Sequence, residues 1–345
     1  MAKLFLFSYE LKPGMTVAET ILNDYGAIIV SEGTILDEHL IQKLCNLNLP
    51  RIKVICDEDN VPVHEPEDHF KLQYNENVEC VKDILYDLGM GYSIDMEKIN
   101  NISNYIIVGA DQKKDIVRCL NQIKSSDEYL YTHSINVSLL SMLLGKWLGL
   151  DTVEIEQLVQ AGLLHDIGKI KVAPEILNKP GKLSNEEYEE IKKHPVYGYR
   201  ILEKDKNISR DICAAVLMHH EKEDGSGYPM GIKGEKIHKL AKIISVADIY
   251  DAMTSNRVYK EKESAFQVFR MMENKAIGKL DISVVNALLN NLASYYVGDF
   301  ARLNNGQICE IVYINPWHVS RPIVRVEGNY VDLLKDNNLI IEEIL

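Results

Sequence analysis

The sequence has no apolar run approaching the roughly 20 residues that a membrane-spanning helix requires. Its first residues form only a short apolar stretch without a small-residue cleavage site, which argues against a signal peptide. The six cysteines are scattered, with no CxxC pair, so we expect reduced and mostly buried thiols rather than a disulfide framework. The cytoplasm is therefore the expected compartment.

The chain has fewer basic than acidic residues, with 38 lysines and arginines against 51 aspartates and glutamates. A formal net charge of -13 at pH 7 opposes non-specific binding to nucleic-acid polymers and to anionic membranes. An anionic substrate would therefore need lysines and arginines gathered locally at its site. Composition is otherwise that of an ordinary globular protein, with 46% hydrophobic and 26% charged residues.

Changes of pattern along the chain predict four segments. Residues 1–60 alternate short β-rich runs with turns around one helix, and residues 61–124 form an acidic, proline-containing linker and a helical connector. Helical periodicity continues through residues 125–292, whereas residues 293–345 return to β-rich runs. We therefore expect a mainly α protein, with an all-helical domain between a small N-terminal α+β module and a small C-terminal β module.

Some element boundaries can be predicted from local signals. Asp151 and Ser184 are each followed three residues later by a glutamate, the spacing of a capping box at a helix start. Pro195 is expected to end the second of these helices, with His194 as its last residue, because proline disrupts a helix interior. Asn305-Gly306 between β-rich runs predicts a hairpin.

Histidines and aspartates recur at predicted helix ends within the all-helical segment. The set is His133, His165, Asp166, His194, His219, His220 and Asp248. A lone histidine is more often an ordinary core or surface residue, and one at a helix C-terminus can simply interact with the helix dipole. Asp248, however, lies in an apolar run where burying an unpaired carboxylate is costly, and a metal ion or an arginine would offset that cost. Several such groups converging on one metal site is the stronger hypothesis.

This donor set indicates a reaction class. Imidazole and carboxylate without thiolate suit iron, manganese or zinc. A bridging carboxylate, for which Asp166 is the candidate, suits two ions about 3.5–4 Å apart. Such a pair binds a hydroxide at neutral pH and stabilises phosphoryl oxygens during in-line attack, so hydrolysis of a phosphate ester is predicted.

Longer motifs in the same segment resemble a known family. They are His165-Asp166-Ile167-Gly168-Lys169, His194-Pro195, His219-His220-Glu221, Asp224-Gly225-Ser226-Gly227-Tyr228-Pro229 and the run from Val246 to Ser255. Together they resemble the HD-GYP domain, a branch of the HD phosphohydrolases, over roughly residues 125–292. An HD pair alone would be a weak signal, but several motifs in the family's order and spacing are specific.

The resemblance implies an all-helical domain with two or three metal ions, often iron or manganese. It implies hydrolysis of cyclic di-GMP to linear pGpG, and in some members onward to GMP. By position, the metal ligands would be His133, His165, Asp166, His194, His219, His220 and Asp248. Lys169 would contact the scissile phosphate, and Arg257 and Lys260 would hold substrate phosphates. Solvated surface charge is the alternative for these three cations.

Two further features bear on the predicted site. Family members with a third ion resemble each other in a glutamate four residues before the first histidine, where this chain has Tyr129. The resemblance therefore favours two ions. It supports hydrolysis of cyclic di-GMP to pGpG more strongly than the second step from pGpG to GMP. The Gly227-Tyr228-Pro229 run would form part of the substrate rim, although such composition is also typical of a simple turn. Tyr228 stacking on a guanine is a further hypothesis.

Three functions remain as alternatives. The first is a cyclic di-GMP phosphodiesterase that uses a metal-bridging hydroxide. The second is a catalytically weak cyclic-dinucleotide receptor or signalling scaffold, and the third a hydrolase of another cyclic dinucleotide such as cyclic GMP-AMP. Candidate partners besides the cyclic dinucleotide are a diguanylate cyclase or other signalling protein, and a second copy of the chain. The flanking modules are either regulatory, dimer-forming or simple packing accessories.

Overall fold

The computed structural model describes residues 2–6, 11–22, 28–46, 52–56, 66–112, 129–255, 263–275 and 278–345. The chain divides into two compact units, Met1–Glu67 with Leu292–Leu345, and Asp68–Asn291. The two segments predicted to flank the helical domain thus fall in the same unit. Among the described residues, no helix combines the length and the apolar character needed to cross a bilayer.

The N-terminal part of the first unit is a small α+β module, as predicted. Its elements are β1 (Ala2–Leu6), β2 (Thr16–Val17), β3 (Ile21–Leu22), β4 (Ile28–Val30), α1 (Glu38–Asn46) and β5 (Ile52–Cys56). Strands β1, β5 and β2 form an antiparallel sheet in that order, and β3 pairs with β4. Val17, Leu44 and Val54 are fully buried in the core between this sheet and the helix.

The C-terminal part of this unit is an antiparallel sheet. Its strands are β6 (Phe300–Leu303), β7 (Ile308–Asn315), β8 (His318–Val326), β9 (Asn329–Asp332) and β10 (Ile341–Ile344). The strand order is β10-β6-β7-β8-β9. The predicted hairpin joins β6 to β7, and Gly306 in its turn has a φ of 84°, a conformation that favours glycine.

The second unit is helical, which confirms the predicted fold class. Helices α2 to α12 span Pro66–Gly89, Met96–Gln112, Tyr129–Trp147, Thr152–Leu164, Pro174–Leu177, Asn185–Ile191, His194–Leu202, Arg210–Met218, Lys239–Thr254, Ala265–Lys275 and Ile282–Ser294. A 3₁₀ helix spans Ile167–Lys171 and another spans Gly234–Lys236. The last residues of α12 already belong to the first unit.

Helix α4 is the centre of the helical unit, since every residue from 132 to 145 is buried. Helix α5 packs closely against it because Gly162 has no side chain: a Cβ there would lie 2.8 Å from the Cα of Ser138. The Ser138 hydroxyl also donates to the carbonyl of Val159 at 2.7 Å. This contact brings the C-terminal end of α5 towards the first turns of α4.

Both predicted capping boxes are present. Asp151 accepts a hydrogen bond from the backbone of Glu154 at the start of α5, and Ser184 from that of Glu187 at the start of α7. The prediction that Pro195 ends a helix is wrong. Helix α8 begins at His194, so the proline occupies its second position, where its missing N–H would have had no partner within the helix anyway.

Candidate metal centre

Seven side chains of the helical unit converge on one buried region. Their nitrogen and oxygen atoms form two groups, in each of which every atom lies within 4.8 Å of the others. One group is Asp166, His194, His219 and His220, and the other is His133, His165 and Asp248. The structure therefore brings together every member of the set that was selected from the sequence.

Three of the histidines are held in one tautomer by backbone carbonyls near helix ends. His165, His194 and His219 place Nδ1 at 2.8, 2.7 and 2.7 Å from the carbonyl oxygens of Gly162, Ile191 and Val216, respectively. A carbonyl only accepts, so each Nδ1 carries the proton and donates it. In the neutral ring this leaves the Nε2 lone pair free to bind a cation.

These Nε2 atoms face other acceptors. His194 Nε2 lies 3.3 Å from His219 Nε2 and 3.2 Å from Asp166 Oδ1. Within the described part of the chain, His165 Nε2 and Asp166 Oδ1 are buried without a hydrogen-bond partner. Buried lone pairs that face one another are unfavourable unless a cation lies between them. The donor set and its geometry therefore fit divalent metal ions.

Asp166 connects the two groups. Its Oδ1 faces His194, whereas its Oδ2 lies 3.3 Å from His165 Nε2 and 3.8 Å from His133 Nε2. Lys169, one turn further along, donates to Oδ2 at 2.5 Å. Burial alone would raise the pKa of Asp166, but Lys169 and the histidines outweigh it and hold that pKa well below its usual range. The carboxylate is therefore ionised and shared between both groups.

His133 lies between two carboxylates. Its Nε2 is 3.1 Å from Asp248 Oδ1, and its Nδ1 is 2.7 Å from Asp251 Oδ2. Burial would lower the pKa of His133, but the bonds to Asp248 and Asp251 raise it to about 9. Burial would likewise raise the pKa of Asp248, but His133 outweighs it and holds that pKa below its usual range. Asp248 is thus ionised and available to face a cation, whereas Asp251 holds the far side of the His133 ring.

The adjacent pair after α9, His219 and His220, stays neutral, in contrast to His133. Burial, reinforced by the neighbouring imidazoles, lowers the pKa of His219 well below its usual value. Burial also lowers the pKa of His220 to about 3, although Asp248 acts in the opposite direction. A neutral imidazole is the form that binds a metal, so these two rings need lose no proton, whereas an ion at His133 would displace the proton on Nε2.

Gly168 allows the 3₁₀ helix to lie directly on α8. A Cβ at this position would lie 2.0 Å from the carbonyl oxygen of His194 and 2.4 Å from the backbone nitrogen of Gly198. Gly168 does not have a positive φ, so glycine is required here by the close backbone approach rather than by the conformation of the residue. This approach sets Asp166 beside His194.

Glu221 anchors the glycine-rich loop, a role that sequence reasoning missed. Its buried carboxylate accepts hydrogen bonds from the backbone N–H groups of Met230, Gly231 and Ile232 at 2.6, 3.1 and 3.0 Å. The burial of this carboxylate is not visible in the sequence, because the N–H groups that compensate it lie nine to eleven residues away.

The same loop covers His220. The ring of Tyr228 lies 4.7 Å from the ring of His220, with 33° between their planes. Gly227 approaches the backbone of Glu221 so closely that a Cβ would lie 2.5 Å from its Cα. Gly227, Tyr228 and Pro229 are half-buried beside the cluster.

Of the other predicted site residues, Arg257 and Lys260 lie outside the described residues, and Tyr129 is the first residue of α4.

Comparisons with known proteins agree with this architecture. Residues 118–284 match the HD domain family. The chain is 34% identical over 266 residues to the cyclic di-GMP phosphodiesterase PA4108 of Pseudomonas aeruginosa, covering 77% of this chain and 64% of that protein. It is 36% identical over 177 residues to the 3′3′-cGAMP-specific phosphodiesterase 1 of Vibrio cholerae, covering 51% of this chain and 41% of that protein.

A solved structure shows the same fold. Bd1817, an HDG"Y"P protein from Bdellovibrio bacteriovorus, aligns with a TM-score of 0.55 at 18% identity, over 83% of this chain and 98% of that one. The chain spans less than two thirds of the length of the Pseudomonas and Vibrio relatives. Residues 118–284 therefore belong to the HD domain family, and the motifs on the helices of the histidine–aspartate cluster are those of its HD-GYP branch.

Proposed function

We propose that this protein is a metal-dependent phosphodiesterase that hydrolyses cyclic di-GMP to linear pGpG. One observation carries the proposal. In the two donor groups, buried Nε2 lone pairs and carboxylate oxygens lie close together and face one another. The relatives named as cyclic di-GMP phosphodiesterases support the substrate class.

The proposed ligands are the two donor groups themselves: Asp166, His194, His219 and His220 for one ion, and His133, His165 and Asp248 for the other. Asp166 is the proposed bridge because its two oxygens face different groups. Two ions rather than three are proposed, since Tyr129 stands where the third-ion glutamate would be. Iron and manganese are the proposed metals. Such ions, when bound, would lower the pKa of water to about 7 and stabilise negative charge on phosphoryl oxygens.

The chain supplies the remaining chemistry. Lys169 has about a fifth of its side chain exposed, so its ammonium group can reach both Asp166 and a phosphate entering from solvent. We assign it the role of donating to the scissile phosphate. The Gly227-Tyr228-Pro229 segment would form the substrate rim over His220 and exclude water. Arg257 and Lys260 would hold the substrate phosphates.

Cyclic GMP-AMP is the second candidate substrate. The Vibrio relative named as cGAMP-specific is about as similar to this chain as the relatives named for cyclic di-GMP. The two substrates present the same phosphates and differ in one base. Discrimination would therefore depend on the residues around the base pockets rather than on the metal ligands.

The test is metal analysis of anaerobically purified protein, combined with chromatography of the products formed from each cyclic dinucleotide. We expect about two iron or manganese ions per chain and pGpG as the product of cyclic di-GMP. If the iron or manganese form binds cyclic di-GMP tightly but does not hydrolyse it, the protein is a cyclic-dinucleotide receptor and the proposed enzymatic function is wrong.

Asp166→Ala is the decisive variant. Removal of the shared carboxylate should abolish hydrolysis and lower the metal content, because both donor groups lose a ligand. Asp83→Ala, at an exposed position of α2 in the same unit, is the matched control and should behave like the unaltered protein. Full activity in Asp166→Ala would eliminate the proposed bridge.

A further inference from the structure

A chain of buried hydrogen bonds links α2 to the centre. The hydroxyl of Tyr74, on α2, donates to Asn136 Oδ1 at 2.8 Å. Asn136 Nδ2 donates to Asp251 Oδ1 at 3.0 Å, and Asp251 Oδ2 accepts from His133 Nδ1 at 2.7 Å. All four side chains are at most 3% exposed. The series therefore runs from the connector helix to a proposed metal ligand without a gap.

The direction of every bond in this series is determined. The amide of Asn136 presents its NH₂ group to Asp251 Oδ1, which accepts from it. The oxygen of Asn136 must then face Tyr74, whose hydroxyl is obliged to donate. Burial, together with Asp251 and Tyr105, raises the pKa of Tyr74 well above its usual value, so the hydroxyl keeps its proton. A second donor to Asp251 Oδ1, the hydroxyl of Ser255, lies at 3.0 Å.

Packing alone does not account for a tyrosine here. Other buried positions of the same helix are filled by Val78, Val81, Ile84 and Leu88, which supply the apolar contacts. A phenolic hydroxyl buried among them is costly unless it is hydrogen-bonded. Tyr74 also lies before the residues that match the HD domain family, which begin at 118. The link from Tyr74 to the centre is therefore made by the connector segment, which precedes the matched HD domain.

We propose that Tyr74 is a positioning residue for the metal centre, which fixes the orientation of His133 through Asn136 and Asp251. This inference rests on the proposed function, since it takes His133 as a metal ligand. Asp251 fixes the tautomer and the ring angle of His133, as partners of metal-binding histidines generally do. Tyr74 fixes the amide that holds Asp251 in place. Through this series, helix α2 holds His133 in the orientation that its donor group needs to bind an ion.

The test measures metal binding rather than turnover. Metal-free protein is titrated with Mn²⁺ alone under calorimetry, which reports the number of ions and the affinity of each. Tyr74→Phe removes only the hydroxyl, and we expect one of the two ions to bind about tenfold more weakly. Tyr86→Phe is the matched control, because it removes the same atom from an exposed residue of the same helix.

A second control separates positioning from stability. Val78→Ala, at a buried position one turn along α2, should lower the unfolding temperature while leaving the Mn²⁺ affinities unchanged. The proposal is overturned if Tyr74→Phe binds both ions as tightly as Tyr86→Phe, or if Val78→Ala weakens binding to the same extent. An unaltered protein that binds no Mn²⁺ would instead remove the proposed metal site, and this inference with it.

Discussion

At the scale of single residues, four histidines of the centre have one ring nitrogen held by the protein and the other turned to the cluster. For His165, His194 and His219 the holding group is a backbone carbonyl, and for His133 it is the carboxylate of Asp251. A carboxylate partner makes the imidazole a stronger donor to a metal than a carbonyl does. The two donor groups are therefore not equivalent.

Lys169 carries a prediction at this scale. Lys169→Met should lower the turnover of cyclic di-GMP about 10²–10³-fold, because a cation beside the developing phosphate charge is lost. The metal content should stay near that of the unaltered protein, since no ligand is removed. Steady-state kinetics and metal analysis on the same preparation measure both quantities.

Lys171→Met is the matched control, since this lysine lies in the same 3₁₀ helix and is exposed. It should keep both turnover and metal. A Lys169→Met protein that loses its metal would show instead that the lysine acts mainly by holding Asp166 in its ionised form.

At the scale of elements, five of the seven donors lie where helices begin or end, and the other two, His133 and Asp248, lie within α4 and α10. Asp166 and Lys169 belong to the turn and 3₁₀ helix after α5, His194 opens α8, and His219 with His220 follows α9. Chain ends of this kind can present adjacent side chains to one cavity, which the interior of a helix cannot do because neighbouring residues point about 100° apart. The loop after His220 then closes over the pair.

The anchor of that loop gives a second prediction. Glu221→Gln should loosen residues 225–232, because an amide cannot accept from all three backbone N–H groups, and it should lower the free energy of unfolding by about 2–3 kcal/mol. Trypsin should then cleave faster at Lys222 and Lys233, which flank the loop. Thermal unfolding and timed proteolysis are the measurements.

Glu235→Gln serves as the control, at an exposed glutamate just beyond the loop. Its cleavage rate and stability should match those of the unaltered protein. If Glu221→Gln resists trypsin equally well, the loop is held by contacts other than this carboxylate.

At the scale of the whole molecule, a net charge of -13 contrasts with a proposed substrate that is itself an anion. The contrast is resolved locally, because divalent ions and Lys169 would invert the sign of charge within the cluster. The same ions should couple metal binding to folding, since the donors come together only in the folded helical unit.

This coupling can be measured with the two tryptophans, one in each unit. Trp317 is 87% exposed, so Trp317→Phe should change the free energy of unfolding little. The substitution leaves the fluorescence of Trp147, at the end of α4, as the reporter of the helical unit. Mn²⁺ at about 100 times its dissociation constant should stabilise this unit by about 2.7 kcal/mol, which raises the unfolding temperature by roughly 5–10 °C. EDTA should reverse the shift, and Asp166→Ala combined with Trp317→Phe should show much less of it. An unchanged unfolding temperature would mean that the cluster does not bind Mn²⁺.

The sequence alone determined the local features of this protein. Capping boxes, helix periods and the hairpin at Asn305-Gly306 depend on contacts within a few residues, so the fold class, the starts of two helices and the hairpin could be predicted. The seven members of the cluster could also be selected from the sequence, because imidazoles and carboxylates at helix ends and in apolar runs are uncommon. Pro195 misled because proline is excluded from the interior of a helix but favoured in its first turn.

Only the tertiary structure decided which atoms meet. His133 and Asp251 are 118 residues apart, and Tyr74 and Asn136 are 62 apart, so no local pattern encodes their hydrogen bonds. The same holds for Gly168, whose missing side chain is required by the backbone of His194. Local sequence determines which donors the chain has, whereas the packing of distant helices determines which way their lone pairs point.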